Sequence, residues 1–350
     1  MNRDKHMIRK VLAGALACIM AVSLAGCGVS PGGSSSSSGK AYTVKNVTFD
    51  GASEFFKEYN RDFAAYYKEE KGINVSITMS SGGSAAQADA VIKGENADVV
   101  TLARSYDVSR IKKHGLIDSG WMGSLDWDSS PFSTTIVLLV RKGNPKHIRD
   151  WDDAAKRKVR VIAADPRTSG SGCFGMIAAW EYASQNLKEN QDACEKFMKK
   201  LYGKKNAVIA ADSAEAEDTF LKQKKGDVLI AWESDALQTV EKYPDSYKII
   251  YPSISALAKP TVAVVDRNAD ADSVSDVSED YLKYLYSDEA QKLLAEYGFR
   301  PGNDKIMEKY SSKFHSKKTM LCSEEDLGGW SRINEQFLEE GALMDQILDE

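Results

Sequence analysis

Short apolar runs alternate along the chain with longer stretches in which apolar residues recur at helical spacing. The run VKNVTF leads into SEFFKEYNRDFAAYYKEEKG, and NVSITMS and ADVVTLA are each followed by a shorter helical stretch. In the first helix six aromatic side chains share one predicted face: Phe55, Phe56, Tyr59, Phe63, Tyr66 and Tyr67. This alternation predicts an α/β fold, with mostly parallel sheets covered by helices on both faces.

The alternation occurs as two series. After TTIVLLVRKG it starts again with VRVIAAD, AVIA, DVLIAWE and YKIIYPS, and a last strand, PTVAVVD, precedes the C-terminal helices. Two series predict two lobes, with lobe 1 formed by 43–134 and 260–350 and lobe 2 by 135–259. TTIVLLVRKG and PTVAVVD are the predicted crossings, and a chain that crosses twice forms a central cleft with a hinge.

Small and hydroxylated residues follow four of the predicted strands. The segments are TFDGAS at Asp50, SSGGSAAQ at Ser84, TSGSGCF at Ser169 and AADSAEAED at Ser213. Ligands of open α/β sheets bind beyond the carboxyl ends of the strands, where loops lead into helix N-termini. Each helix start carries roughly half a positive charge and free N–H groups. These four junctions therefore predict an anion site.

The segment GSGCFG, 170–175, has the spacing Gly-x-Gly-x-x-Gly and raises the alternative of a dinucleotide enzyme. That site also requires an acidic residue about 20 positions later, at the end of the next strand. The residues after Gly175 are predicted to be helical for much longer than that, which argues against the alternative. Tight turns and helix caps explain any one of the four loops alone, but less readily all four together.

The N-terminus indicates export. Basic residues precede an apolar stretch from Val11 to Leu24, which is short for a membrane span and ends in small residues. LAGC, ending at Cys27, resembles the bacterial lipobox, in which this cysteine is lipidated. The resemblance implies a signal peptide over 1–27, a Gly/Ser linker over 28–42 and a lipid-anchored extracytoplasmic protein. An ordinary signal peptide with a chance cysteine is the alternative.

Composition narrows the function further. About 320 residues remain after the signal peptide, enough for two domains. The balance of 46 basic and 51 acidic residues indicates no nucleic-acid partner. Cys173, Cys194 and Cys322 have no spacing typical of a disulfide framework or a zinc site, and the four histidines are scattered. A hydrolase would need a metal cluster or an activated nucleophile, for which the sequence offers no candidate.

Several segments in collinear order resemble the sulfate and thiosulfate receptors of bacterial ABC importers. They include SSGGSAAQADAVIKGENADVVTLARSYDV, STTIVLLVRKGNPKHIRDWDD, GDVLIAWESDAL and YGFRPGND, and the resemblance covers nearly the whole chain after Val44. It implies the type II periplasmic-binding-protein fold, two lobes closing on one anion. It also implies a monomer that catalyses nothing, needs no cofactor or metal, and docks on the permease of an importer that also has ATPase subunits.

The same resemblance implies seven hydrogen-bond donors to the anion. These are the backbone N–H groups of Asp50, Ser84, Gly170, Ser171 and Ser213, the hydroxyl of Ser169 and the indole N–H of Trp232. An indole nitrogen donates and never accepts, which suits a fully ionised ligand. A cage made of donors alone also disfavours hydrogen phosphate, whose proton needs an acceptor.

Two departures from the family pattern leave alternatives open. Ser171 replaces a glycine, which keeps the backbone donor. DSAEAED, 212–218, replaces a segment that usually carries an arginine, and it adds Glu215 and Glu217. These glutamates are expected to cap the helix, although close to a dianion they would repel it. If the carboxylate of Asp50 faced the anion, it would favour phosphate. A receptor for phosphate or molybdate thus stays an alternative, and sulfate is not separated from thiosulfate.

Overall fold

The computed structural model describes residues 41–314 and 319–349. The predicted signal peptide, 1–27, with its cysteine Cys27, and residues 28–40 of the predicted linker lie outside the described residues. The first strand begins at Ala41 and so includes the last two residues of the predicted linker, because Ala41 and Tyr42 pair with Asn74 and Val75.

The described residues form twelve strands. They are β1 Ala41–Phe49, β2 Asn74–Gly82, β3 Val99–Leu102, β4 Phe132–Arg141, β5 Val161–Ala164, β6 Ala207–Ala210, β7 Val228–Trp232, β8 Tyr247–Ile250, β9 Ile254–Ala258, β10 Thr261–Val264, β11 Arg300–Pro301 and β12 Met320–Cys322.

Fifteen α-helices accompany the strands in the described part of the chain. They are α1 Ser53–Lys71, α2 Ser84–Ile92, α3 Ser105–Lys113, α4 Asp126–Ser129, α5 Trp151–Ala154, α6 Gly170–Asn186, α7 Gln191–Tyr202, α8 Ser213–Leu221, α9 Glu233–Lys242, α10 Asp266–Ala271, α11 Ser275–Tyr284, α12 Asp288–Glu296, α13 Asp304–Lys309, α14 Gly329–Ile333 and α15 Leu343–Asp349.

The strands form two mixed sheets. The first sheet has the order β10-β3-β1-β2, and the second has the order β12-β9-β4-β7-β5-β6, with β8 and β11 also paired to β4. Strands β1, β2 and β3 are parallel, as are β5, β6 and β7, as the alternation predicts. The predicted crossing strands β4 and β10 instead run antiparallel to the strands with which they pair.

We define the first lobe as the first sheet with its helices and the second lobe as the second sheet with its helices. Strand β12 pairs with β9 in the second sheet, whereas the sequence prediction assigned 260–350 to lobe 1. The C-terminal helix α15 likewise packs on α7, which belongs to the second lobe. The chain therefore returns to the second sheet at β11, and the remaining predicted lobe boundaries stay a prediction.

Helix α1 packs its aromatic stripe against the core. Phe55, Phe56, Tyr59 and Phe63 are fully buried, because apolar side chains recur on one face. Tyr66 is 40% exposed, and its ring stacks on that of Tyr284. The helix ends at Gly72, whose left-handed φ of 68° a glycine adopts without strain.

Buried aromatic rings also join the two lobes. The ring of Phe49, at the end of β1, makes an edge contact with Trp232, at the end of β7, with centroids 6.1 Å apart. Phe174, on α6, packs on the other side of Trp232, at 5.7 Å. The carboxyl ends of the two sheets are therefore held face to face, with Trp232 between them.

Candidate functional site

Several of the predicted junctions meet around Gly170, the first residue of α6. A Cβ atom on Gly170 would lie 2.5 Å from the Cβ of Ala103, 3.2 Å from Trp232 Cζ2 and 3.6 Å from the Cβ of Ser84. Ala103 and Ser84 belong to the first lobe, whereas Gly170 and Trp232 belong to the second. The lobes are closed on each other here, at a distance that glycine alone permits.

Trp232 carries an unpaired donor into this contact. Its side chain is fully buried, and Nε1 has no hydrogen-bond partner among the residues that the structure describes. A Cβ on Gly51, beside Asp50, would lie 2.8 Å from Nε1, so the backbone of the first lobe passes directly over the indole. Buried N–H groups are nearly always paired, and an unpaired one costs about 1 to 3 kcal/mol. The indole N–H is therefore available as a hydrogen-bond donor to a ligand.

Ser169 and Ser171 stand at the N-terminus of α6. Both are buried, and their hydroxyl oxygens lie 3.1 Å apart. Ser169 is the N-cap, and its Oγ accepts a long bond of 3.5 Å from Gly172 N–H. Hydroxyls and first-turn N–H groups are thus concentrated at the positive end of a 17-residue helix.

Ser84 begins α2 and is held by its hydroxyl. Oγ donates to Asp107 Oδ2 at 2.7 Å and accepts from the N–H of Ala103 at 3.0 Å. Asp107 is paired in turn with Arg104, through bonds of 2.6 and 2.7 Å, and both are buried. As the first residue of α2, Ser84 has a backbone N–H with no partner within the helix, and this is the group that the resemblance assigns to the ligand.

Asp50 and Ser213 contact each other across the lobes. Asp50 Oδ2 accepts from the N–H of Ser213 at 2.6 Å, from the Ser213 hydroxyl and from the N–H of Ala214 at 3.1 Å. Oδ1 is buried without a partner among the described residues. Burial raises the pKa of Asp50 to about 6, although the bonds from Ser213 and Ala214 oppose the shift. The N–H of Ser213, predicted to face the anion, is thus given to Asp50.

The divergent segment 212–218 forms the start of α8. Asp212 Oδ1 accepts from the N–H of Glu215 at 2.9 Å, and Glu215 Oε2 accepts from the N–H of Ala211 at 2.7 Å. This confirms the capping interpretation for Glu215. Glu217 instead accepts from the Thr239 hydroxyl at 2.9 Å. Glu217 lines a cavity of about 540 Å³ at the edge of the lobe contact, together with Asp50 and Asp235.

Like charges and burial disfavour ionisation in this cavity. Burial raises the pKa of Asp235, and the nearby carboxylates of Glu217 and Asp50 raise it further. The pKa of Glu217 is also raised, first by burial. Among residues 41–314 and 319–349, no group of three or more His, Cys, Asp or Glu side chains could hold a metal ion.

Comparison with known proteins identifies the family. A family model for the bacterial extracellular solute-binding proteins matches residues 48–300. The chain is 40% identical over 309 residues to the sulfate-binding protein of Escherichia coli (strain K12), covering 88% of this chain and 93% of that protein. The chain belongs to the bacterial extracellular solute-binding protein family. This family consists of transport receptors rather than enzymes.

This solute-binding protein is also similar to two further proteins. The thiosulfate-binding protein of Pseudomonas aeruginosa is 36% identical over 331 residues, covering 94% of this chain and 98% of that protein. The sulfate-binding protein SubI from Mycobacterium tuberculosis H37Rv has a similar structure, with a TM-score of 0.75 and 27% identity. The match covers 85% of this chain and 100% of SubI. The two-lobe fold predicted from the sequence is confirmed.

In this solute-binding protein the contact between the lobes includes residues that the sequence analysis did not single out. Gly51 and Ala103 approach Trp232 and Gly170, and a Cβ on Gly83 would lie 2.5 Å from the carbonyl oxygen of Thr168. The glycines of TFDGAS and SSGGSAAQ could have indicated this contact from the sequence, since backbones that approach so closely leave no room for a side chain.

No helix in 41–314 or 319–349 is long and apolar enough to cross a membrane.

Proposed function

We propose that this protein is an extracytoplasmic receptor that captures sulfate or thiosulfate between its lobes and delivers it to an ABC importer. The observation that carries the proposal is the unpaired, fully buried Nε1 of Trp232, beside the N-terminus of α6. The sulfate- and thiosulfate-binding relatives support the choice of anion.

The proposed site binds the anion by neutral donors. Its donor set comprises the N–H groups of Asp50, Ser84, Gly170 and Ser171, the Ser169 hydroxyl and the Trp232 indole. Each hydrogen bond to a charged group contributes roughly 1.5 to 3 kcal/mol, so six contribute about 9 to 18 kcal/mol against the cost of desolvation. Micromolar binding needs a surplus of about 8 kcal/mol. The N-termini of α2 and α6 would disperse the remaining charge.

Rejection of hydrogen phosphate follows from the same donor set. A protonated oxyanion would bury its hydroxyl among donors, where it finds no acceptor. The carboxylate of Asp50 is the nearest exception, but Oδ2 is turned onto α8 and accepts three hydrogen bonds there. Oδ1 of Asp50 is buried without a partner among the described residues, and this observation favours the alternative receptor. If Oδ1 accepted the proton of hydrogen phosphate, phosphate would bind.

Isothermal titration tests the proposal directly. The chain after the predicted signal peptide is unfolded and refolded to remove bound anion, and is then titrated with sulfate, thiosulfate, phosphate and molybdate in sulfate-free buffer. We expect sulfate or thiosulfate to bind tightly and phosphate to release no heat. If neither sulfate nor thiosulfate bound, or if phosphate or molybdate bound more tightly, the proposal would be contradicted.

We also propose that Cys27 is lipidated and anchors the receptor outside the membrane, and that the monomer, when its lobes close, docks on the permease of an importer that also has ATPase subunits. LAGC and the Gly/Ser linker that follows it support an anchor. Cys27→Ser should move the expressed protein from the membrane fraction to the soluble fraction. Unchanged membrane association would argue against a lipid at this residue.

The Glu215→Ala variant tests whether Glu215 caps α8 or repels the anion. Since Glu215 Oε2 accepts from the N–H of Ala211, its loss should lower the free energy of unfolding by about 1 kcal/mol. Sulfate affinity should not change, because the carboxylate points into the helix terminus. Urea denaturation and titration measure the two effects. Tighter sulfate binding in the variant would show that the charge of Glu215 opposes the ligand.

A further inference from the structure

The second sheet has a strongly basic surface at the end where β5, β6, β7 and β8 begin and β4 finishes. The register sets Val140, near the end of β4, beside Val228, the first residue of β7, which also pairs with Val161 at the start of β5. The segments at this end are 142–160, 203–206, 222–227 and 243–246. Together they hold twelve basic and five acidic residues, in a chain whose formal net charge is −5. We call these four segments the basic surface.

Polar contacts join parts of the basic surface that are distant in sequence. Arg160 Nη1 donates to the carbonyl oxygen of Lys204 at 2.9 Å, and the N–H of Arg160 donates to Asp227 Oδ2 at 2.8 Å. Lys146 Nζ donates to the carbonyl oxygen of Lys158 at 2.8 Å and lies 3.7 Å from Asp227 Oδ2. The basic residues therefore lie on one surface rather than on separate loops.

Much of this positive charge faces solvent without an acidic partner. The side chain of Arg149 is 82% exposed, although it lies 3.3 Å from a carboxylate oxygen of Asp153. Arg157, Lys158 and Lys205 are exposed and form no ion pair with the residues that the structure describes. The five acidic residues of the basic surface therefore leave most of its charge uncompensated.

The C-termini of helices explain part of this charge but not its concentration. Helices α5, α7, α8 and α9 end next to the basic surface, where cations complement the helix dipole. The corresponding end of the first sheet provides a comparison, because α1 and α2 end there in the same way. Its segments 72–73, 93–98 and 265–272 hold two basic and five acidic residues. The excess of basic residues is thus a property of the second lobe and not of this fold in general.

We propose that the basic surface rests on the anionic phospholipid headgroups of the membrane that holds the receptor, an inference that rests on the lipid anchor proposed above. A Lys or Arg side chain held near an anionic membrane surface strengthens binding by about fivefold. The attraction acts over a Debye length of about 10 Å at 0.1 M salt, so acidic residues at the far end of the protein do not cancel it.

The basic surface is remote from the anion site. Trp232 lies at the other end of β7 from Val228, about 13 Å away along the strand. In the first lobe, Ala41 lies at the outer end of β1, about 26 Å along the strand from Phe49. Since Phe49 and Trp232 meet between the lobes, the start of β1 and the basic surface are at opposite ends of the two lobes. A lipid anchor before β1 and a basic surface on the second lobe would keep both lobes near the membrane, within reach of a permease.

Co-sedimentation with lipid vesicles tests the proposal. The chain after the predicted signal peptide, which carries no lipid, is mixed with vesicles of phosphatidylcholine alone or of equal parts phosphatidylcholine and phosphatidylglycerol. We expect the protein to sediment with the mixed vesicles at about 0.1 M salt and to be released at about 1 M, where the Debye length falls to about 3 Å. Binding to neither kind of vesicle, or equal binding to both, would overturn the proposal.

A charge-reversal variant assigns the binding to this surface. It combines Arg157→Glu, Lys158→Glu and Lys205→Glu, three exposed residues that form no ion pair with the described part of the chain. We expect its partition onto the mixed vesicles to fall by roughly tenfold or more, since three attractions become repulsions. Partition equal to that of the wild type would overturn the proposal.

The matched control makes the same change of net charge on the first lobe. It combines Lys68→Glu, Lys71→Glu and Lys93→Glu, which are exposed and lie at the C-termini of α1 and α2. This variant should bind the mixed vesicles like the wild type. An equal loss in both variants would show that net charge alone governs binding, and would overturn the role of the basic surface.

The outcome for the basic surface can be separated from the outcome for the anion site. Both triple variants should keep the sulfate affinity and the melting temperature of the wild type, because the substituted residues are exposed and distant from Trp232. The melting temperature shows that each variant is folded even if no sulfate binds. Vesicle binding is measured without any anion ligand, so it stands or fails independently of the sulfate titration.

Discussion

Trp232→Phe is expected to weaken sulfate binding by about 10- to 150-fold, the effect of losing one hydrogen bond to a charged acceptor of about 1.5 to 3 kcal/mol. The indole is fully buried and its Nε1 is unpaired among the described residues, so no other contact compensates for the loss. Phenylalanine keeps most of the packing against Phe49 and Phe174. Titration with sulfate measures the change.

Trp151→Phe provides the matched control. Trp151 is also fully buried, but its Nε1 donates to the carbonyl oxygen of Ile254 at 2.8 Å. Its replacement should lower stability through that unpaired carbonyl and leave sulfate affinity unchanged. Equal loss of affinity in both variants would mean that Trp232 acts through folding, and unchanged affinity in Trp232→Phe would remove it from the site.

The fold was predictable where short apolar runs alternate with helical stretches, as they do in parallel sheets. Strands β1, β2 and β3 and strands β5, β6 and β7 lie where the alternation of apolar runs and helices places them. The sequence analysis missed β9, because ISALA follows β8 after three residues with no helix between them. It also missed β12, which has three residues and gains its place by pairing with β9. Neither strand carries a periodicity of its own.

The site was predictable to the extent that strand ends converge. Gly170, Ser84 and Trp232 meet as expected, because the carboxyl ends of both sheets face each other. The direction of the Asp50 carboxylate was not predictable, since it depends on how far α8 lies from β1 when the lobes are closed. Neighbouring residues contain no information about a contact with Ser213, 163 positions away.

Gly170→Ala is expected to reduce sulfate affinity by about 100-fold or more, because overpacking a close contact costs up to about 3 kcal/mol. The added Cβ would lie 2.5 Å from the Cβ of Ala103, which is far inside the van der Waals contact distance of two carbon atoms. Ala103 follows β3 and Gly170 begins α6, so both are on rigid elements and cannot move aside at small cost. The lobes would stay apart, leaving the donors of the first lobe out of reach of an anion bound at α6.

The Gly170→Ala variant should fold normally but fail to close its lobes. Alanine favours a helix more than glycine does, so the second lobe should keep its structure. Gly120→Ala is the control, because a Cβ there would contact nothing within 4 Å. We expect a larger radius of gyration for Gly170→Ala at saturating sulfate, and a wild-type radius and affinity for Gly120→Ala. Wild-type affinity in Gly170→Ala would show that the anion binds without the close contact between Gly170 and Ala103, and the proposed site would have to lie elsewhere.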